Sequence, residues 1–332
     1  MPLAKFPTNI PLWALHHGIR LLADRHLNGR LAVLIYHRVR SDTDPLTPYD
    51  MKAEQFDWEM RLLRNYFNVL PLGDALAAMA NGTLPERAVS ITFDDGYTDQ
   101  VKVALPILRK YGHHATFFIP TGYLSGGCMW NDLVIETIRY HNGSELDLSA
   151  LNLAHYSTVS VPDKRETIAH LVMSIKHFHP EKRMHALKYL KTLIGFDVAT
   201  DLMMGEDMVK LLVDAGMEVG SHTMMHPILT SVTDEEASNE ITESKRILEG
   251  ITGRPVRYFA YPNGKPYEDY MPEHMEIVRQ AGFEAAFSTA KGVATSESDI
   301  CQLPRFTPWD DRADRFLLRL MGNYTETEPL IV

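Results

Sequence analysis

The chain has 332 residues, 45% hydrophobic and 23% charged, enough for one large α/β domain and composed like an ordinary globular protein. Its formal net charge of −10 argues against nucleic acid or strongly anionic polymers as partners. Two cysteines, Cys128 and Cys301, lie far apart and give no disulfide framework, and no apolar stretch approaches the roughly 20 residues that span a bilayer.

At the N-terminus Leu12, Leu15, Ile19, Leu22 and His26 share one helical face, with Arg20, Arg25 and Arg30 nearby. This pattern predicts a helical segment over 1–30, either a clasp packed on the fold or, through residues 10–30, a helix lying on a membrane surface. Pro11, His16 and His17 interrupt any signal-peptide core. The expected location is therefore cytoplasmic, with association at the inner membrane face as the alternative. Apolar runs then predict strands over 31–36, 67–70, 88–93, 115–119, 217–221, 256–261, 284–288 and 300–306. Helical periodicity falls between several of them, as with Phe56, Met60, Leu63 and Phe67. Thr233 with Glu236 makes a capping box, Ala237, Ile241, Ser244, Leu248 and Ile251 follow as a stripe, and Gly253 ends the helix. Helix between strands implies parallel pairing, hence an α/β fold: a distorted (β/α) barrel of about seven strands with its site at the C-terminal mouth. The barrel is expected from residues 31–120 and 206–332. Residues 121–205 are too long for a connection and, with Lys, His, Leu and Met at helical spacing over 160–204, read as a helical insertion or lid. Its histidines (His170, His177, His179, His185) have mixed spacing and read as solvated helix faces.

Two strings carry chemistry. Thr92-Phe93-Asp94-Asp95-Gly96 ends a strand and places two adjacent carboxylates where α/β proteins build their sites. Ser221-His222-Thr223-Met224-Met225-His226-Pro227 follows another strand and offers two imidazoles four residues apart. Taken alone, Asp-Asp-Gly is an ordinary turn and His-x-x-x-His an ordinary packing pattern. Together they make a catalytic metal set, two histidines and one carboxylate with an open position, and leave one aspartate spare as a base.

These motifs resemble the first two signatures of the polysaccharide deacetylase family, the NodB-homology carbohydrate esterases, over about residues 32–305. The resemblance implies that Asp94 is the general base and that Asp95, His222 and His226 bind a divalent metal. Zinc suits nitrogen and oxygen ligands with an open position, with cobalt or nickel as substitutes. The third motif, commonly Arg-Pro-Pro-Tyr-Gly, stands here as Ala260-Tyr261-Pro262-Asn263-Gly264, without its arginine. By resemblance the Asn263 N–H serves the oxyanion, with Tyr261 and Pro262 beside it. Arg305, in Leu303-Pro304-Arg305, is expected to take the place of the missing arginine beside Asp94. No Leu-x-His follows residue 226. Instead Val33-Leu34-Ile35-Tyr36-His37-Arg38-Val39 resembles the circularly permuted branch, in which the strand bearing the acid histidine comes first, so His37 is the expected acid. Trp130 either stacks on a sugar ring or packs in a core. The implied reaction is hydrolysis of N-acetyl groups on a polysaccharide, oligosaccharide or lipid-linked sugar. Two other readings are a non-sugar amide or formamide hydrolase on the same site and a non-catalytic glycan-binding protein. The sequence carries no signal for an oligomeric state.

Overall fold

Two six-residue apolar runs set the frame. Leu31–Tyr36 and Ala88–Phe93 are buried along their whole length, as strands of a parallel sheet covered on both faces must be. They pair in parallel from Leu31 opposite Ala88 to Tyr36 opposite Phe93. The polar residues of the second run find backbone acceptors: Ser90 Oγ donates to Leu70 O at 3.0 Å and Thr92 Oγ1 to Leu34 O at 2.8 Å.

The computed structural model describes residues 28–151, 153–194, 201–326 and 328–332. The predicted N-terminal helix and nearly all of its membrane-contact stretch lie outside them. In chain order the strands are β1 (Leu31–Tyr36), β2 (Val39–Arg40), β3 (Met51–Lys52), β4 (Asn68–Val69), β5 (Ala88–Phe93) and β6 (Thr116–Ile119). There follow β7 (Glu145–Asp147), β8 (His155–Ser157), β9 (Glu218–Ser221), β10 (Tyr258–Ala260) and β11 (Ala285–Phe287). β1, β5, β6, β9, β10 and β11 lie side by side in that order, all parallel, with β4 beside the start of β5. Helices such as Ala53–Tyr66, Leu105–Tyr111, Asp234–Thr252 and Pro272–Gln280 carry the chain between strands. The fold is therefore α/β and matches the expected distorted barrel.

One predicted strand is replaced by a looser closure. Over 300–306 only isolated bridges form: Leu303 pairs with Phe287 at one edge of the sheet and Phe306 with Leu34 at the other. Pro304 has no N–H to give a ladder, but Phe306 N–H donates to Val33 O at 2.7 Å and Ile35 N–H to Phe306 O at 3.0 Å. The curled sheet is thus stitched shut, and the carboxyl ends of all its strands open on one mouth. Beneath that mouth Phe93 stacks on Phe117 with centroids 4.9 Å apart, and Tyr36 on Phe93 at 5.4 Å. Rings buried in this way stabilise the fold by roughly 1.5–3 kcal/mol each, and they fix the strand ends that carry the site.

The helix Asp234–Thr252 forms as its sequence dictates, with both arms of the Thr233–Glu236 capping box made and Gly253 closing it at φ 63°. The insertion departs from a purely helical reading. Beside helices Trp130–Tyr140, Val161–Ile175 and Pro180–Ile194 it holds an antiparallel ribbon, β7 with β8. Strands of three residues are too short to show a period. Trp130, Leu133, Val134, Leu171 and Leu187 form a core of its own. Among the described residues no helix is long and apolar enough to cross a membrane.

Candidate active site

Asp94 and Asp95 sit where β5 runs out. The Asp94 N–H donates to Tyr36 O at 2.9 Å, continuing the strand pairing by one residue. The backbone then swings into the left-handed region at Asp95 (φ 74°) and Gly96 (φ 67°). A non-glycine residue held there is strained, a feature that concentrates at functional sites. The swing sends the two carboxylates to different partners. Both Asp94 oxygens accept from Arg305, Oδ1 from Nη1 at 2.7 Å and Oδ2 from Nη2 at 2.8 Å. Arg305 is itself buried, with Nε donating to Ser288 O at 2.9 Å. Asp95 Oδ1 instead faces His226 Nε2 at 3.3 Å and His222 Nε2 at 3.5 Å.

The two histidines come from a loop whose shape is enforced by contacts across the fold. Thr223 and His226 both have positive φ, 65° and 52°. Glu240, on the helix Asp234–Thr252, accepts from the Met224 and Met225 N–H groups at 2.7 and 2.8 Å through Oε2. On the other side the Gly122 N–H donates to Met224 O at 2.8 Å. A Cβ on residue 122 would lie 2.8 Å from that same oxygen and 2.3 Å from Met225 Sδ, so only glycine fits. Neither Glu240 nor Gly122 belongs to a motif, and the sequence offered no signal for them.

The donor set fits a tetrahedral divalent ion. His222 Nε2 and His226 Nε2 are 3.1 Å apart, so with the two distances to Asp95 the three edges run from 3.1 to 3.5 Å. An ion about 2.0–2.1 Å from each donor requires edges of about 3.3 Å. His222 Nδ1 lies 2.7 Å from Ala260 O, so it donates there and leaves Nε2 free for a metal. Among the described residues Asp95, His222 and His226 are the only three His, Cys, Asp or Glu side chains that converge in this way.

The electrostatics agree. Burial alone would raise both aspartates, but Arg305 and then His222 hold Asp94 below its ordinary value. His222, His37 and His226 hold Asp95 well below the usual carboxylate range despite its burial. Burial, then the charge of His222, pushes His226 down to about 3, which keeps that imidazole a neutral lone-pair donor. Burial would lower His222 as well, yet Asp94 and Asp95 outweigh it and raise it. The carboxylates that favour a proton on His222 favour a cation at the same point.

The other expected site residues fall in different places. His37 follows β1 directly and is exposed. Gln100 Nε2 donates to both His37 O and Asp94 O and so clamps the ends of β1 and β5 together; no motif marked Gln100 either. Asn263 (φ 58°) forms a turn after β10, held by Thr289 Oγ1, which donates to its carbonyl at 2.8 Å. Pro262 precedes it and is buried. Tyr261 does not reach a substrate through its hydroxyl, which donates to Cys301 O at 2.9 Å while the ring stacks on Tyr270 at 4.0 Å. Trp130 is no sugar platform: it is 9% exposed, packs in the insertion core and has the Arg183 guanidinium 5.0 Å over its ring. The insertion does reach the site through Asp132, which accepts from the Tyr97 hydroxyl at 3.1 Å. Burial pushes Asp132 up to about 7. With Asn131, His37, Arg38 and Asp95 it lines a cavity of about 200 Å³.

A sequence profile for polysaccharide deacetylase matches residues 81–286, which include the aspartate pair, both histidines and Asn263. The poly-β-1,6-N-acetyl-D-glucosamine N-deacetylase of Staphylococcus aureus strain MSSA476 is 34% identical over 308 residues, covering 89% of this chain and 84% of that protein. That of strain COL is 23% identical over 314 residues, covering 91% and 85%. Among solved structures, the Streptococcus pyogenes deacetylase PplD in complex with acetate superposes with TM-score 0.60 at 18% identity, over 88% of this chain and 98% of that one. IcaB from Ammonifex degensii does so with TM-score 0.57 at 19% identity, over 90% and 99%. At such identities the two structures speak for the fold alone. The profile match covers more than half of the chain and the staphylococcal relatives span most of it, so the chain belongs to the polysaccharide deacetylase family, hydrolases of carbon–nitrogen bonds other than peptide bonds.

Proposed function

We propose that this protein is a metal-dependent deacetylase that removes N-acetyl groups from an amino-sugar glycan, releasing acetate and a free amine. The observation that carries the reading is one ionised aspartate, Asp94, gripped by Arg305 beside a second, Asp95, that converges with two histidines on one point. A binding protein needs no such division of labour between adjacent carboxylates. The staphylococcal relatives named for poly-β-1,6-N-acetyl-D-glucosamine make an N-acetylglucosamine polymer the first substrate to try.

Asp95, His222 and His226 would hold the metal, with zinc the first choice and cobalt or nickel as substitutes. When bound, such an ion supplies Lewis acidity at the acetamide oxygen and a more acidic water. Asp94 accepts the proton of the attacking water as the new carbon–oxygen bond forms. Arg305 keeps Asp94 ionised and fixes its orientation through two charge-assisted hydrogen bonds. The Asn263 N–H has no acceptor among the described residues and is offered to the developing oxyanion, a contribution of about 3 kcal/mol for a well-placed donor. His37 gives a proton to the nitrogen as the carbon–nitrogen bond breaks. Residues 121–205 serve as a lid, since Asn131 and Asp132 wall the cavity that His37 and Asp95 share.

The test is acetate release from β-1,6- and β-1,4-linked N-acetylglucosamine oligomers by protein stripped with a chelator and then given Zn²⁺, Co²⁺ or Ni²⁺. Activity should vanish on stripping and return with metal. Full activity in the stripped protein would refute metal dependence, and silence on every glycan would refute the substrate class.

A further inference from the structure

We propose that Trp309 is a stacking platform for a sugar ring other than the one that carries the reacting acetamide, in a cleft that accepts several residues of a glycan chain. The inference rests on the deacetylase reading and adds a residue that would bind the glycan chain away from the reacting acetamide. The cleft measures about 1320 Å³, above the roughly 300–1,000 Å³ that houses a drug-sized ligand. His37, Arg38 and Asp50 line both this cleft and the small cavity that reaches Asp95. A chain with one residue in the cavity at Asp95 can therefore continue past His37 into this cleft.

Trp309 lines the cleft and is 62% exposed, far from the burial usual for so large an aromatic. It is not loose. The Arg319 guanidinium lies 3.7 Å from its ring centroid and backs one face of the indole. Arg319 is anchored in turn by the Asp310 carboxylate and by Thr307 O, to which Nη2 donates at 3.1 Å. Gln55 Nε2 donates to Asp310 O at 2.8 Å and ties the loop to the helix Ala53–Tyr66. The indole is thus held on one face by Arg319 while the residue lines the cleft. Holding a side chain in its bound pose before the ligand arrives removes much of the ordering cost of binding. Tyr49, 96% exposed on the same cleft, offers a second ring.

The lining selects the ligand. Arg38, Lys52 and Arg61 are interleaved with Asp50, Glu54, Asp57 and Asp311, so no field of one sign favours a polyanion or a strongly charged headgroup. Mixed donors and acceptors beside an exposed indole suit a neutral polyhydroxylated chain, whose ring C–H faces stack on the aromatic and whose hydroxyls meet the charged groups.

The experiment compares wild type with Trp309→Ala and Trp309→Phe on three probes: the β-1,6-linked N-acetylglucosamine pentamer, methyl N-acetylglucosaminide and 4-nitrophenyl acetate. Trp309→Ala should lower kcat/KM on the pentamer by about tenfold, through KM, with both small substrates unchanged. Trp309→Phe should retain most of the pentamer rate. Equal loss on all three probes, or none on the pentamer, overturns the platform. Fluorescence titration of metal-loaded protein with the same pentamer separates this idea from the proposed reaction. If no glycan is turned over but the pentamer binds and Trp309→Ala weakens it about tenfold, the cleft stands and the reaction does not. If wild type and Trp309→Ala bind it equally, or neither binds, the cleft assignment is wrong.

Discussion

Arg305 and Asp94 stand 211 residues apart in the chain and meet in a buried, two-pronged hydrogen-bonded pair at the barrel mouth. The pair does two jobs that a single substitution can separate. Arg305→Lys keeps a positive charge but loses the fork geometry. Asp94 is held below its ordinary value by Arg305, so weakening that grip raises its pKa. A base must be ionised to accept a proton, and the acid limb of the kcat profile should therefore move to higher pH, with kcat near neutrality down about tenfold or more. An acid limb that stays in place would detach Arg305 from the protonation of Asp94. Arg305→Ala should also cost about 3–5 kcal/mol of stability, because it strands a buried carboxylate.

His226→Ala removes one corner of the donor triangle while deleting little core packing. Elemental analysis should show loss of stoichiometric metal, and acetate release should fall to background, with far-ultraviolet circular dichroism unchanged. Retention of one metal ion per chain would mean that the ligands lie elsewhere.

Glu240 bonds the backbone of the histidine loop and is a positioning residue for it. Glu240→Ala frees two backbone N–H groups, at Met224 and Met225, and lets the loop relax. Outer partners of metal ligands typically govern about 10–100-fold in affinity. A metal titration with a competing chelator should find a loss of that size, and saturating metal should restore most of the activity. Unchanged affinity would make Glu240 a purely structural cap.

His37→Ala tests the acid. The loss in kcat on an N-acetyl substrate should be about 10²–10⁴-fold. 4-Nitrophenyl acetate, whose leaving group needs no proton, should lose far less, and metal content should hold. Equal losses on the two substrates would send the search for the acid elsewhere.

Glu59 sets a pH dependence of stability. Burial pushes its carboxyl up to about 8, against hydrogen bonds from Tyr36 and Gln55. A raised folded-state pKa means that the folded chain holds this proton more tightly than the unfolded one. The stability it confers is complete below the ordinary value near 4.5 and is lost as pH rises to about 8. Glu59→Gln should therefore be neutral or slightly destabilising at pH 5 and stabilising by about 1 kcal/mol or more at pH 8.5, read by denaturant unfolding. The same difference at both pH values would show that Glu59 does not titrate in this range.

Much of this protein is legible in short-range sequence patterns. The buried runs 31–36 and 88–93, the capping box at Thr233 and Glu236, and the carboxylate pair followed by the histidine pair are all local patterns. Burial on both faces imposes a continuous apolar stretch, a helix start imposes a cap three residues from its partner, and two imidazoles four residues apart can be aimed at one point. What surrounds each side chain is a different matter. Arg305 meets Asp94 because the segment 303–306 stitches β11 to β1 and carries the arginine across the closing seam. Glu240 reaches the histidine loop from a helix whose sequence reads as an ordinary amphipathic stripe. Trp130 and Trp309 look alike in sequence, yet the first is sealed in the insertion core and the second lies open on the cleft. No short-range periodicity encodes such pairings. They follow from closure of the barrel and packing of the insertion, which bring together residues hundreds of positions apart.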